Sequence, residues 1–292
     1  GNRQIEMMKT DMLSEGYELL DSGKESKLER VGGYFLVRPS PQAVWSPSLP
    51  EAKWQEADAT YIRSSTGGGE WVFRRRLPER WEIDHSGLKF IIKTTGFGHL
   101  GLFPEQGNNW SWIEEKIGSA GRPVSVLNLF AYTGGSTLAA ARAGASVCHL
   151  DASKGVVDWA RENAALSGLS ERPIRLIVDD VEKFVKKEIN RSRRYDAIIL
   201  DPPSFGRGAK GEVWTIEEGL LRLLTECREL LSDAPLFILL SCHSPGFTPL
   251  VLQNLLAEMM KGYSGVLSCG EMTIPETTGR LLPSGAYARW SK

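Results

Sequence analysis

The stretch Val124-Ser-Val-Leu-Asn-Leu-Phe-Ala-Tyr-Thr-Gly-Gly135 decides how this chain folds. Val124 to Phe130 is an almost unbroken apolar and β-branched run, the pattern of a strand covered on both faces of a parallel sheet. Thr133, Gly134 and Gly135 break the run, and the sequence from Ser136 onward (Thr-Leu-Ala-Ala-Ala-Arg-Ala) reads as a helix. A strand, a tight glycine turn and a helix starting at that turn collect free backbone N–H groups at one point. Such a point holds an anionic group or lets a ligand lie close against the backbone. Taken alone the turn is a weak signal. It is not Gly-x-Gly-x-x-Gly, and many β–turn–α joints need glycine for geometry only.

Downstream, strand and helix signals alternate regularly, which predicts an α/β fold with a doubly wound, mostly parallel sheet. Ser146-Val-Cys-His-Leu-Asp151 is a second strand ending in an acid, and Ser153 reads as the N-cap of the helix that Gly168 ends. Ile174 to Val178 is a third strand, closed by Asp179 and Asp180 at the start of a charged helix. Tyr195 to Leu200 is a fourth, running directly into Asp201-Pro-Pro-Ser-Phe205. A helix over roughly Thr215 to Leu231, a strand from Leu236 to Cys242 and a helix from Leu250 to Lys261 follow. Two late β-like runs near Val266 and Tyr287 suit a closing hairpin at the sheet edge.

Upstream the texture changes. Residues 1–16 are polar and Met-rich and read as a short helical arm. From Tyr17 to about Thr95, short β-favouring runs (Tyr34–Arg38, Trp71–Arg74, Leu88–Ile92) alternate with Gly, Pro and Ser breaks, predicting a small β-rich N-terminal domain over 1–95. Trp45, Trp54, Trp71 and Trp81 lie in this region, as do Arg74, Arg75, Arg76 and Arg80. They describe either an aromatic-packed β core with a solvated basic edge or a surface that meets RNA phosphates and stacks bases. Residues 96–118 form a glycine-rich, aromatic junction or lid, with an Asn-Asn-Trp turn and a helix from Ser111 to Ile117. The α/β domain then occupies 119–292.

Bulk properties narrow the classes. The chain has 292 residues, 41% hydrophobic and 24% charged, with a formal net charge of −1. A protein that holds long nucleic acid non-specifically is usually clearly basic, so any nucleic-acid contact here is expected to be local. The four cysteines, Cys148, Cys227, Cys242 and Cys269, have neither metal-ligand spacing nor disulfide-scaffold density, so reduced thiols in a cytoplasm are expected and no metal site. No apolar stretch reaches the roughly 18 residues that span a bilayer, and no signal-peptide core is present.

Acids recur at the carboxyl ends of consecutive predicted strands, where open α/β sheets form their ligand crevice. Asp151, 17 residues after Gly134, can accept hydrogen bonds from both hydroxyls of a ribose. Asp179 or Asp180 can accept the exocyclic amino group of adenine, and Asp201 lies nearest the reacting end. Each of Asp151 and Asp180 could equally be a helix N-cap, but three acids in order beside a glycine turn are poorly explained by capping. In Asp201-Pro-Pro-Ser-Phe205, Pro202 and Pro203 remove two backbone donors and fix φ, giving a stiff loop with exposed carbonyls and a following aromatic. That suits a planar base held face-on.

These residues carry a resemblance. Asn128-Leu-Phe-Ala-Tyr-Thr-Gly134, Asp151-Ala-Ser153, Asn163, Asp180-Val181 and Asp201-Pro-Pro-Ser-Phe205 resemble the motifs of class I S-adenosylmethionine-dependent methyltransferases. The branch they most resemble contains the large-subunit ribosomal RNA cytosine-5 and guanine-N7 enzymes. The likeness covers roughly residues 86–292, including Gly101-Leu-Phe-Pro-Glu-Gln106. It implies a Rossmann-like fold, S-adenosyl-L-methionine as cofactor and an RNA base as acceptor. By position, Phe130, Ala131, Tyr132, Thr133 and Gly134 would line the methionine portion. Asp151, with Ala152 and Ser153, would hold the ribose, Asp179, Asp180 and Val181 the adenine, and Asp201 the donor end, with Gln106 and Asn163 as further cofactor contacts. The branch has Arg after that glutamine where this chain has Gly107, and residues 1–95 do not match its RNA-binding PUA domain.

Cys242, in Leu240-Ser-Cys-His-Ser244, stands where the cytosine-5 enzymes place their nucleophile. That reaction needs a thiolate to add to the pyrimidine, whereas a base amine or guanine N7 attacks with its own lone pair. A reactive thiol needs a lowered pKa and access; the alternative is a small buried residue at a strand end. Two rivals remain: a nucleotide-dependent oxidoreductase, against which the missing Gly-x-Gly-x-x-Gly counts, and a non-catalytic module that kept the cofactor fold.

Overall fold

The structure, a computed structural model, describes residues 16–292. The arm expected over 1–16 therefore lies outside the described residues, Gly16 apart. The chain divides into two compact units. One runs to Pro104 and includes Thr273–Pro283; the other comprises Glu105–Met272 and Ser284–Lys292. Segment 96–118 is thus shared between them at Pro104.

In the first unit β1 (Tyr17–Gly23), β2 (Ser26–Val31), β3 (Tyr34–Pro39), β4 (Ala59–Arg63) and β5 (Gly69–Phe73) form a five-stranded sheet in chain order. Pairing is antiparallel except between β3 and β4, whose connection carries the one-turn helix α1 (Glu51–Trp54). A separate hairpin pairs β6 (Trp81–His85) with β7 (Leu88–Ile92). The tryptophans serve this unit's interior: the Trp45, Trp54, Trp71 and Trp81 indoles donate to Ser22 O, Asp21 Oδ2, Thr95 O and Val31 O at 3.1, 3.0, 2.7 and 3.0 Å. Arg74 donates to the carbonyls of Ala57 and Glu56, and Arg75 binds the Asp58 carboxylate, so these two arginines have structural partners. A buried pair joins Glu29 to Arg38 through bonds of 2.6 and 2.8 Å. Burial pushes the Glu29 carboxyl up, but the Arg38 guanidinium, Lys27 and the Tyr17 hydroxyl together hold it down at about 2.

The second unit holds α2 (Gly107–Gly118), β8 (Ser125–Leu129), α3 (Gly135–Arg142), β9 (Ser146–Asp151), α4 (Lys154–Leu166), β10 (Ile174–Val178), α5 (Val181–Asn190) and β11 (Ala197–Leu200). Then come the short strands β12 (Phe205–Arg207) and β13 (Val213–Thr215), α6 (Ile216–Arg228), β14 (Phe237–Cys242), α7 (Pro249–Met259), β15 (Val266–Pro275) and β16 (Leu281–Ser291). The sheet order is β10-β9-β8-β11-β14-β16-β15, with the first five strands parallel and β16 antiparallel to β14. This is the doubly wound, mostly parallel sheet expected. The chain winds outward from β8 to β10, then returns to β11 on the other side of β8, so the switch point lies between β8 and β11.

Alternation along the strands sorts the two faces. Leu127, Leu129, Ile198, Leu200, Ile238, Leu240 and Cys242 form one core with Phe184 of α5, Leu220 and Leu224 of α6 and Leu252 of α7. On the other face Asn128 meets Thr137 of α3, and Phe237 meets Trp112 of α2 ring to ring at 5.0 Å. One expectation needs correction. The Asn-Asn-Trp segment is no turn: Asn108, Asn109 and Trp110 lie within α2. Asn109 is buried with its amide occupied by Gln106 and Arg289, which removes its usual competition for the helix backbone. The β12–β13 hairpin just after Asp201-Pro-Pro was not foreseen, because its strands of three residues are too short to show a period.

Candidate active site at the strand tips

Beyond the carboxyl end of β8 the backbone turns through left-handed conformations at Phe130, Tyr132 and Gly134, with φ of 57°, 53° and 93°. The first two are aromatic residues in a region that L side chains seldom adopt, a cost that persists only where surroundings impose it. Here they do. Ala131 N–H donates to Leu150 O at 3.0 Å, Tyr132 N–H to Asp151 Oδ2 at 3.0 Å, and Asn163 Nδ2 to Thr133 O at 3.0 Å. A Cβ at Gly134 would crowd Ala160 and Leu138 at 3.2 and 3.3 Å, and one at Gly135 would come within 2.3 Å of the Trp110 ring. Below the turn, Thr137 Oγ1 lies 2.7 Å from His149 Nδ1, and burial keeps this imidazole down at about 4, hence neutral.

Asp151 ends β9 beside this turn. Its two carboxylate oxygens accept the backbone N–H groups of Tyr132 and Ser153, both at 3.0 Å. Burial pushes the carboxyl above the usual range, against those N–H groups and that of Ala152, which favour the ion. At the tip of β10, Asp179 accepts the Asp180 N–H at 2.8 Å and pairs with Lys187 at 2.9 Å. Asp180 caps α5 by accepting the Lys183 N–H at 3.0 Å, with Val181 buried behind it. Asn163 and Gln106 are buried beneath these strand tips. Asn163 fixes the carbonyl of Thr133, and Gln106 bridges Ser241 and Asn109.

Asp201 follows β11, and distant side chains furnish its surroundings. Ser241 Oγ donates to its Oδ1 at 3.0 Å, and Gln106 Nε2 donates to Ser241 Oγ at 3.1 Å. Asn109 Nδ2 donates to Gln106 Oε1 at 2.9 Å, and Arg289 Nη2 to Asn109 Oδ1 at 2.8 Å. A second pair, His243 Nε2 and Glu105 Oε1 at 2.8 Å, acts on Asp201 through charge. Burial pushes the Asp201 carboxyl up, His243 and the Ser241 hydroxyl oppose this, and Glu105 adds to it. The Pro202–Pro203 loop is anchored by Trp214 of β13. Its indole donates to Pro203 O at 2.8 Å, while its ring lies 5.2 Å from that of Phe130. One residue thereby ties the glycine turn to the proline loop, and Phe205 stays half-exposed beside it.

Cys242 is buried in the core. Strand alternation sends Ser241 and His243 to one face and Cys242 to the other, into the core with Leu240 and Leu252. Burial pushes its thiol up, the Ser244 N–H opposes this and the Asp201 charge adds to it, a net shift the reverse of what a nucleophile needs. Sequence reasoning missed Glu105, Asn109, Ser241, His243 and Trp214. The period of two along Leu240–Ser244 could have revealed Ser241 and His243; nothing local marks Glu105 or Trp214. Among the described residues no group of three or more His, Cys, Asp or Glu could hold a metal ion, and no helix is long and apolar enough to cross a membrane.

The tip of the sheet suits a nucleoside with an aliphatic tail. A backbone-rich turn with no Cβ at its tightest points faces a carboxylate whose lone pairs are only partly used, at the switch point of the sheet. Comparison with known proteins agrees. The family model described as S-adenosylmethionine-dependent methyltransferase matches residues 52–261. A crystal structure of the SAM-dependent methyltransferase from Agrobacterium tumefaciens superposes with a TM-score of 0.89 at 42% identity, over 94% of this chain and 90% of that one. The ribosomal RNA large subunit methyltransferase K of Neisseria meningitidis is 29% identical over 274 residues, 87% of this chain and 71% of that protein. The K/L protein of Shewanella frigidimarina is 34% identical over 154 residues, half of this chain, and the match spans only 21% of that longer relative. A family match over most of the chain and the strand-tip geometry lead to one assignment: the chain belongs to the S-adenosylmethionine-dependent methyltransferases.

Proposed function

We propose that this protein methylates a base of RNA, ribosomal RNA being the favoured acceptor. Phe130–Gly134 would receive the methionine portion of S-adenosylmethionine, Asp151 with Ala152 and Ser153 the ribose, and Asp179, Asp180 and Val181 the adenine. When bound, the cofactor supplies an electrophilic methyl group on a sulfonium. The chain's own residues then do three things. Asp201 accepts a hydrogen bond from the acceptor and fixes its attacking atom, Pro202 and Pro203 hold the loop stiff, and Phe205 offers a ring for the base to stack on. Catalysis comes from holding two partners in line in a dry site.

The observation that carries this reading is the Trp214 bridge, which sets the Asp201–Phe205 loop against the glycine turn. Support for RNA comes from the names of the Neisseria and Shewanella relatives. Cys242 is read here as a packing residue, which disfavours cytosine C5 as the target. The test is transfer of labelled methyl groups into total RNA, protein and small-molecule fractions from cells lacking this protein. Label is expected in large-subunit ribosomal RNA; label confined to protein or small molecules would overturn the RNA assignment.

A further inference from the structure

We infer that Arg289 is a positioning residue for Asp201. As the donor-only end of a relay through Asn109, Gln106 and Ser241, it sets the direction of every hydrogen bond between them and so keeps a hydroxyl donor on the carboxylate. The inference rests on the reading that Asp201 receives a hydrogen bond from the methyl acceptor, and it holds whether or not that acceptor is RNA.

Segments distant in sequence carry the relay. Arg289 belongs to β16, Asn109 to α2, Gln106 to the turn before it and Ser241 to β14, while Asp201 follows β11. Arg289 Nη2 and Nε both donate to Asn109 Oδ1, at 2.8 and 3.3 Å. The guanidinium carbon lies 4.3 Å from the centre of the Tyr287 ring and 5.0 Å from that of Trp112, so two aromatic rings hold the cation in place. Its acceptor is thus a side-chain amide rather than a carboxylate. Asn109, Gln106 and Ser241 are only 1%, 6% and 2% exposed, which keeps bulk water from competing for their polar atoms.

An amide or a hydroxyl can stand in such a chain either way round. A guanidinium cannot, because it has five donors and no acceptor. Facing Arg289, the Asn109 side chain presents its oxygen, which turns Nδ2 toward Gln106 Oε1 at 2.9 Å. Gln106 then offers Nε2 to Ser241 Oγ at 3.1 Å, and Ser241 turns its proton to Asp201 Oδ1 at 3.0 Å. The opposite direction would run from a protonated Asp201 through Ser241 and Gln106, and it would set the Asn109 amino group against the guanidinium, donor against donor. The two directions therefore belong to the two protonation states of the acid, and Arg289 favours the ionised one. Burial pushes the Asp201 carboxyl up, and the Ser241 hydroxyl delivered by the relay opposes this. The charges acting on Asp201 are His243 from the end of β14 and Glu105 from the turn before α2; Cys242, pushed up by burial, stays uncharged. Glu115 and Tyr287 act at the Arg289 end.

The test follows the Asp201 carboxyl in the full chain by ¹³C NMR with labelled aspartate, its signal assigned by its loss in Asp201→Asn. Arg289→Met removes the donor and should raise the Asp201 titration midpoint by about one pH unit, a tenfold gain in proton affinity. Asn109→Asp keeps the volume and the Arg289 contact, but its carboxylate can only accept from Gln106. It should raise the midpoint as much, and it tests the relay even where Arg289→Met disturbs packing. Arg289→Lys, again donor-only, should stay near wild type. The first two substitutions are repeated with Ser241→Ala: a shift carried by the relay disappears there, whereas one carried by charge through space persists. S-adenosylmethionine affinity by calorimetry should stay near wild type throughout. In whichever of the RNA, protein and small-molecule fractions the wild type labels, the acid limb of the transfer rate should move up with the midpoint. An unmoved midpoint in Asn109→Asp, or a shift of equal size in the Ser241→Ala background, overturns the inference. Wild-type transfer by Asp201→Asn would refute the reading of Asp201 instead, while the midpoints still decide the relay.

Discussion

The two halves of the sheet tip are built by opposite means. On the β8–β9–β10 side, backbone nearby satisfies the acids: Asp151 takes the N–H groups of Tyr132 and Ser153, and Asp180 takes that of Lys183. On the β11–β14 side, Asp201 is met by a side chain 40 residues away, and behind Ser241 stand Gln106, Asn109 and Arg289 from other segments. The first half is a local motif and the second a tertiary assembly. A cofactor common to a family needs a constant cradle, which short-range backbone geometry supplies. An acceptor particular to one enzyme is met by side chains, which can change without rebuilding the turn.

The sharpest test of this division is Asp201→Asn. Transfer should fall by about 100- to 1000-fold, while S-adenosylmethionine affinity by calorimetry changes little; equal losses of both would dissolve the distinction between the halves. The same variant carries a pH signature. Because burial raises the folded-state pKa of Asp201, its contribution to stability is present at pH below its ordinary value of 3.8 and is lost as pH rises through the folded value. Asp201→Asn has no such loss, so its melting temperature should match wild type in acid and exceed it at neutral pH. A gap of about 2–4 °C per kcal/mol is the scale to look for.

On the other half, Asp151→Ala should weaken S-adenosylmethionine binding about 10- to 100-fold, the worth of charge-assisted hydrogen bonds. Transfer at saturating cofactor should stay near wild type, and unchanged affinity would remove the ribose assignment. A smaller effect is expected from Ser241→Ala, which cuts the link between Gln106 and Asp201. About tenfold slower transfer with unaltered cofactor affinity, recovered in Ser241→Thr, would show the relay orienting the acid. The smallest change in rate belongs to Cys242→Ala: turnover within about twofold of wild type, with about 1–2 kcal/mol of stability lost from the core by urea titration. Loss of activity in that variant would return Cys242 to the reaction and place cytosine C5 back among the targets.

The β8–β9–β10 half was readable in the primary structure because its signals are local. The apolar run into Thr133-Gly134-Gly135, the acid 17 residues on and the Asp-Pro-Pro loop each lie within one β–α unit. Even there the strain at Phe130 and Tyr132 escaped notice, since non-glycine residues do not advertise a positive φ. Nor did the sequence reveal that Asn163 is buried and holds the Thr133 carbonyl of the turn. In the first unit, likewise, the sequence left the tryptophans open between core and surface, and only the fold revealed that their indoles bond within the unit and that Arg74 and Arg75 are tied to residues 56–58.

From its own residues, then, the chain declared a doubly wound sheet, a strand-tip crevice and the acids that edge it, because period, turn chemistry and capping act over a few residues. Tertiary structure decided the rest. It turned Cys242 to one face of the sheet and Ser241 and His243 to the other, brought Glu105 to His243 and Trp214 between two loops, and made Gln106 a bridge. Those outcomes depend on which strands become neighbours and which face each residue takes once they do, and no local pattern records that pairing.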